Sequence, residues 1–178
     1  MPTLNQDRSN PGYTIRESTP QDEAFLEEML YTALWVPRGE QPFARDITYG
    51  PRLRYYWQKW RCQPDDFGLI LENNTGGISS KQYVPYGAAW LRVLSQEIGF
   101  GYVRDGVPEL SIALHADFRG QGLGINLLQE LITRSSHKYP AITLCVSPEN
   151  PAHQLYERLG FTRVRENDEE IVMMLEFR

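Results

Sequence analysis

Three glycines, Gly120, Gly122 and Gly124, follow directly on Arg119 at the point where an alternating strand hands over to an amphipathic helix. Backbone without side chains lets several N–H groups converge on one point, and a helix start adds unpaired donors and partial positive charge. That is the chemistry of an anion site, with phosphate or pyrophosphate as the expected ligand. A dinucleotide loop wants Gly-x-Gly-x-x-Gly and an acid roughly 20 positions later, whereas the third glycine here comes one residue early. A nucleotide P-loop closes on Lys-Ser/Thr, where this chain has Ile125-Asn126. Both nucleotide readings lose ground. A tight turn using glycines for positive φ alone stands as the structural alternative.

Tyr156 shares a helix face with Ala152, Leu155 and Leu159 by i, i+3, i+4 and i+7 spacing, which turns its hydroxyl inward. It reads equally as a core tyrosine with a backbone partner and as a reactive phenol. Cys145 stands mid-strand in AITLCVS with no histidine beside it, which argues against a nucleophilic thiol.

The elements that must hold these residues follow from periodicity. Tyr13–Glu17 reads as a short strand, and Thr19-Pro20-Gln21-Asp22 opens a helix carrying Phe25, Leu26, Met29, Leu30 and Leu34. Leu53, Tyr56, Trp57 and Trp60 are spaced as one face of a second helix, either core or the wall of an aromatic pocket. Phe67–Glu72 and Tyr83–Leu94 form a hairpin across the turn-rich stretch from Asn73 to Gly77. Glu109–His115 alternates Leu110, Ile112 and Leu114 against Glu109, Ser111, Ala113 and His115. A helix with Ile125, Leu128, Leu131 and Ile132, a strand Ala141–Ser147 and a helix from Pro151 complete a βαβα unit. Strands at Phe161–Val164 and Ile171–Phe177 close the chain around the acidic turn Glu166–Glu170.

At 178 residues, 41% hydrophobic and 23% charged, the chain has the size and composition of one globular domain. Residues 1–12 read as a flexible tail and 13–178 as the domain. A net charge of −5 argues against nucleic acid as partner and suits a cationic substrate better. Cys62 and Cys145 lie far apart without a CxxC, so neither a disulfide framework nor a zinc site is suggested. No apolar run approaches a membrane span and the N-terminus lacks an apolar leader, so a cytoplasmic protein without membrane or metal is expected.

Two blocks carry a family resemblance. Leu114-His115-Ala116-Asp117-Phe118-Arg119-Gly120-Gln121-Gly122-Leu123-Gly124 resembles the V-x-P-x-x-R-G-x-G-x-G loop of the GNAT superfamily of N-acetyltransferases, with Ala116 in place of the usual proline. Asn150–Phe161 resembles the same family's N-x-x-A-x-x-L-Y-x-x-x-G-F block. The separation of the two blocks and the strand order match the family, most closely over 109–164.

The resemblance implies a mixed α/β (α+β) fold, with a mostly antiparallel twisted sheet of about seven strands and about four helices. It implies acetyl-CoA as co-substrate, with the amides of the Arg119–Gly124 loop on the pyrophosphate. Ile112, Ala113, Leu114, Arg119, Gly120, Gln121, Gly122, Leu123, Gly124, Ile125, Asn150 and Tyr156 are the cofactor-binding residues it suggests. Leu114's strand would offer an N–H to the acetyl carbonyl, and Asn150 would meet the pantetheine arm. It further implies direct transfer to a primary amine of a small molecule or peptide, with Tyr156 protonating the thiolate and Glu109 as base, directly or through water. A solvated Glu109 is the plain alternative, and His115, Tyr102, Asp105 and Glu97 are other candidates. A non-catalytic acyl-CoA-binding module is the competing function, and a homodimer is left open. Trp35–Asp66 and Ser95–Pro108 would set the acceptor, with Trp35, Phe43, Tyr49, Tyr55, Tyr56, Phe100 and Tyr102 hinting at an aromatic pocket with cation–π capacity.

Overall fold

The computed structural model describes residues 12–73 and 84–177. Apart from Gly12, the expected tail lies outside them, as do Tyr83 and the hairpin turn after Asn73. Among the described residues seven strands form one sheet: β1 (Tyr13–Glu17), β2 (Phe67–Asn73), β3 (Pro85–Arg92), β4 (Glu109–Leu114), β5 (Ala141–Val146), β6 (Thr162–Glu166) and β7 (Ile171–Glu176), in the order β1-β2-β3-β4-β5-β7-β6. Every neighbouring pair is antiparallel except β4 with β5. The helices are α1 (Glu23–Ala33), α2 (Leu123–Ser135) and α3 (Ala152–Arg158).

Period-2 alternation splits the core between two faces. Leu110 and Leu114 of β4 join Leu69, Leu71, Ala89 and Leu91 beneath Leu127, Leu128 and Leu131 of α2. Ala113 points the other way, with Ile70, Ala88 and Trp90, under Leu26, Met29 and Leu30 of α1. Thr19 opens the chain's entry to α1, its amide and hydroxyl both donating to Asp22 (2.7 and 3.0 Å). No described helix is long and apolar enough to cross a membrane.

The second helix expected from Leu53, Tyr56, Trp57 and Trp60 does not form. Arg45–Tyr49 and Leu53–Tyr56 are separate 3-10 turns. Gly50-Pro51 divides them, and Lys59 and Arg61 take positive φ (53° and 63°), which no right-handed helix accommodates. Tyr56, Trp57 and Trp60 are nonetheless buried. Polar pins replace helical hydrogen bonds. Arg92, itself buried, donates to both carboxylate oxygens of Asp66 (2.8 and 2.7 Å) and to the carbonyls of Tyr55, Gln58 and Lys59 (2.9, 2.7 and 3.0 Å). Trp57 Nε1 donates to the Thr48 carbonyl (3.0 Å), while Arg45 and Thr48 both bind Glu27 of α1.

Candidate active site

β4 and β5 pair at a single register point, Glu109 opposite Thr143, with the Thr143 amide donating to the Pro108 carbonyl (3.0 Å). Beyond it the two parallel strands run on without a ladder, and the sheet is parted between them. Glu109 sits at the foot of this parting, on the α1 face with Ser111 and Ala113.

The Glu109 carboxyl is enclosed rather than solvated, with 6% of the residue exposed. The loop before β4 presses on it. A side chain at Gly99 would lie 3.0 Å from Glu109 Oε2, and one at Gly101 would lie 3.0 Å from both Glu109 Cδ and the Leu144 carbonyl carbon, so a larger residue at either position would crowd the carboxyl. Oε2 has no hydrogen-bond partner among the described residues. Burial pushes the carboxyl up to about 7, against the Tyr56 hydroxyl, the Gly101 amide and Arg52, which favour the charged form, while Glu170 adds to the rise.

Three side chains hold that loop by its main chain. Arg52 donates to the carbonyls of Ile98 and Gly99 (3.0 and 3.1 Å), with its guanidinium 3.7 Å above the Phe100 ring. Tyr56 Oη accepts from the Phe100 amide (2.9 Å). Arg165 of β6 donates to the carbonyls of Phe100 (3.0 Å) and Tyr102 (3.3 Å) and to Glu170 (3.3 Å).

On the α2 face the glycine turn takes the shape its spacing suggested. Gly120 and Gly122 have φ of 73° and 78°, Gly122 is the residue before α2, and a Cβ on either would stand in open space. The Asn126 amide reaches back to the Gly122 carbonyl (3.2 Å), so the donors before it are the orphans every helix start carries. Arg119 folds back, Nε donating to the Leu114 carbonyl (3.0 Å), and Gln121 Nε2 bonds the Asp117 carbonyl (3.0 Å). These contacts tie the turn to the end of β4. Ala113 and Leu114 are buried, whereas Ile112, Leu123, Gly124 and Ile125 are half-buried beside the turn. Open space beside positive-φ glycines and a row of orphan amides fits a pyrophosphate.

Tyr156 is half-buried on α3, packed against the α2-side core, its ring 5.8 Å from that of Phe161 in an edge-on contact. Burial alone pushes its hydroxyl up to about 12. Asn150 Oδ1 accepts from the Ala152 amide (2.9 Å), which commits that oxygen to starting α3 and leaves its NH2 group for other partners. Glu109 and Tyr156 thus belong to opposite faces of the sheet.

The remaining candidates lie elsewhere. His115 follows β4 at its far end, with Nε2 3.6 Å from Glu28 and its ring 5.9 Å from Phe25. Tyr102 bonds Asp105 (3.0 Å) on the surface, and Glu97 is exposed. The Cys145 thiol faces Glu170 Oε2 at 3.5 Å; burial and then the Glu170 and Glu109 carboxylates push it up to about 12, so it stays a thiol. Phe43, Tyr49 and Tyr55 are exposed, while Tyr56 is buried and bonded to the Phe100 amide. Sequence spacing missed Arg52, Arg165, Glu170 and the part played by Tyr56 at this carboxyl. They come from distant segments, and their one local signal was the Gly99/Gly101 pair in the loop they hold.

Residues 85–163 match the family model for the acetyltransferase (GNAT) domain. Solved structures share the fold over nearly the full length. YncA of Salmonella typhimurium, solved with its cofactor acetyl-CoA, is 23% identical (TM-score 0.60, covering 94% of this chain and 95% of that one). The spermidine/spermine N-acetyltransferase SpeG of Vibrio cholerae is 19% identical (TM-score 0.58, 93% and 94%). The ribosomal-protein-S18-alanine N-acetyltransferase of Escherichia coli is 20% identical (TM-score 0.57, 93% and 94%). No curated protein sequence matches the chain significantly.

Proposed function

We propose that residues 13–178 act as one cytoplasmic acetyltransferase domain that moves an acetyl group from acetyl-CoA to a primary amine of a small molecule or peptide by direct attack. The observation that carries this reading is Glu109, a buried carboxyl with one unpartnered oxygen at the foot of the β4/β5 parting. An alkyl ammonium, with an ordinary pKa of about 10.4, must lose a proton before it attacks, and a base near 7 is matched to that task at neutral pH. Glu109 takes the proton directly or through one water. Relatives of the same fold acetylate a polyamine in one case and a ribosomal-protein alanine in another, both amines.

Acetyl-CoA bound here supplies the activated thioester. The amides of Gly120–Ile125, with Arg119 and Gln121, hold the pyrophosphate; Ile112, Ala113 and Leu114 line the pantetheine arm along the freed edge of β4; and the Asn150 NH2 meets the arm from β5's end. Tyr156 keeps its proton throughout the range in which Glu109 is ionised and delivers it to the departing sulfur. The desolvation that raises the phenol raises a thiolate in the same pocket too, which narrows the mismatch between them.

Glu109→Gln tests the reading by steady-state acetylation of an amine panel. Turnover is expected to fall by about 10²–10⁴ with the KM for acetyl-CoA unchanged, as for loss of a positioned base; near wild-type turnover overturns the assignment. Stability gives a second readout. A carboxyl raised to about 7 in the folded protein binds its proton more tightly there than in the unfolded chain, so its contribution is present at low pH and lost as pH rises through about 7. Glu109→Gln is therefore expected to raise the Tm at pH 8 and to change it little at pH 5. Tight coenzyme A binding with no turnover on any amine would favour the binding-module reading.

A further inference from the structure

Five side chains stand on the α1 face where β4 and β5 part: Glu109, Ser111 and Ala113 on β4, Thr143 and Cys145 on β5. Thr143 Oγ1 donates to the Pro108 carbonyl (3.3 Å), and the Cys145 thiol faces Glu170 Oε2 (3.5 Å). Ala113 has nothing to donate. Two polar groups are left. Glu109 Oε2 is buried and unpartnered, and Ser111, 9% exposed, makes no side-chain hydrogen bond among the described residues. Enclosed oxygens rarely go without a partner, and where the chain supplies none an ordered water does. These two are placed to share one. They stand two residues apart on one strand face, about 6.7 Å along β4, and a single water bridges oxygens up to about 5.5 Å apart. The Glu109 carboxyl leans toward the parting, since the Cβ position at Gly101 lies 3.0 Å both from its Cδ and from the Leu144 carbonyl carbon of β5.

We infer that Ser111 is a proton relay for this site, its hydroxyl and Glu109 Oε2 bridged by one water that carries the amine's proton down the parting to the buried carboxylate. The relay presupposes the proposed role of Glu109 as base. As the ammonium N–H bond breaks, Ser111 Oγ takes that proton and passes its own to the water, and the water passes one to Oε2. Only Oε2 ends with a hydrogen it did not have. The loop before β4, gripped through its main chain by Arg52 and Arg165, holds Gly99 and Gly101 against the carboxyl. An amine at the thioester therefore meets Ser111, one pleat nearer the Ile112–Leu114 stretch assigned to the pantetheine arm, before it meets Glu109.

A high-resolution crystal structure of the wild type without substrate tests the geometry and needs no variant to fold. One water within hydrogen-bond distance of both Ser111 Oγ and Glu109 Oε2 is expected; no such water, or a Ser111 hydroxyl bonded to a main-chain carbonyl instead, overturns the inference. Ser111→Thr and Ser111→Val then differ by a hydroxyl at nearly equal volume, so crowding affects both alike, and the added methyl of valine leaves no room for a second water. With a reactive amine, kcat is expected to be about tenfold lower in Ser111→Val than in Ser111→Thr, as for one hydrogen bond to a developing charge, at equal KM for acetyl-CoA. In mixtures of light and heavy water, the rate against deuterium fraction is expected to bow in Ser111→Thr, where several protons move together, and to run straight in Ser111→Val. Equal kcat and equally shaped plots in the two variants show a structural role alone and overturn the relay. Glu109→Gln separates this from the base reading. If Glu109→Gln alone loses turnover, the relay fails and the base stands; if turnover is normal in all three, the base reading fails and takes the relay with it.

Discussion

The two faces of β4 are built in opposite ways. On the α2 face, regular helices with apolar stripes pack on Leu110 and Leu114, and the site there is backbone: orphan amides and glycines at φ 73° and 78°. On the α1 face, residues 45–66 form no long helix, and polar side chains hold them instead, chiefly the buried Arg92–Asp66 pair and the exposed Arg45 on the buried Glu27. A phosphate group can be met by a backbone device. Irregular chain pinned at a few buried points can change shape without disturbing the sheet.

The largest effect should come from the α1 face. Asp66→Ala strands the Arg92 guanidinium, 3% exposed, without its counter-charge, and is expected to lower stability by about 3–5 kcal/mol in urea unfolding. Hydrogen exchange should speed up across 45–66 well before it does in α2. If α2 loosens equally, the two faces are one cooperative unit and the contrast fails.

A smaller effect is expected on the α2 face. Gly122→Ala places a Cβ at φ 78°, at a cost of about 1–2 kcal/mol, with open space around it. The KM for acetyl-CoA should rise several-fold while kcat and the pH profile stay put, whereas changes around Glu109 move kcat and the profile and leave that KM alone. Smallest of all is Cys145→Ser. The thiol is held protonated at about 12, so turnover should stay within roughly twofold of wild type; a loss of several hundred-fold would instead point to an acyl-enzyme at Cys145.

Legibility from sequence follows the same division. Where residues act through local period, the reading carries over: β4 alternates as written, α2 begins beside the glycine turn, and Leu26, Met29 and Leu30 of α1 are buried. Leu53, Tyr56, Trp57 and Trp60 show why the rest does not. Their spacing is helical and three of them are core, but Gly50-Pro51 and the left-handed Lys59 and Arg61 deny the segment a helix, and the Arg92 contacts that stabilise this path come from a strand over thirty residues away.

Glu109 marks the same boundary at the level of one side chain. Sequence alone determined that an acid opens the strand leading into the glycine turn and that the turn suits a phosphate, because both are statements about neighbours in the chain. Tertiary structure alone decided that this acid is enclosed, that Gly99 and Gly101 crowd it, and that Tyr56, Arg52 and Glu170 adjust its proton affinity. Burial and electrostatic neighbourhood are properties of distance in space, and no local pattern in the chain encodes them.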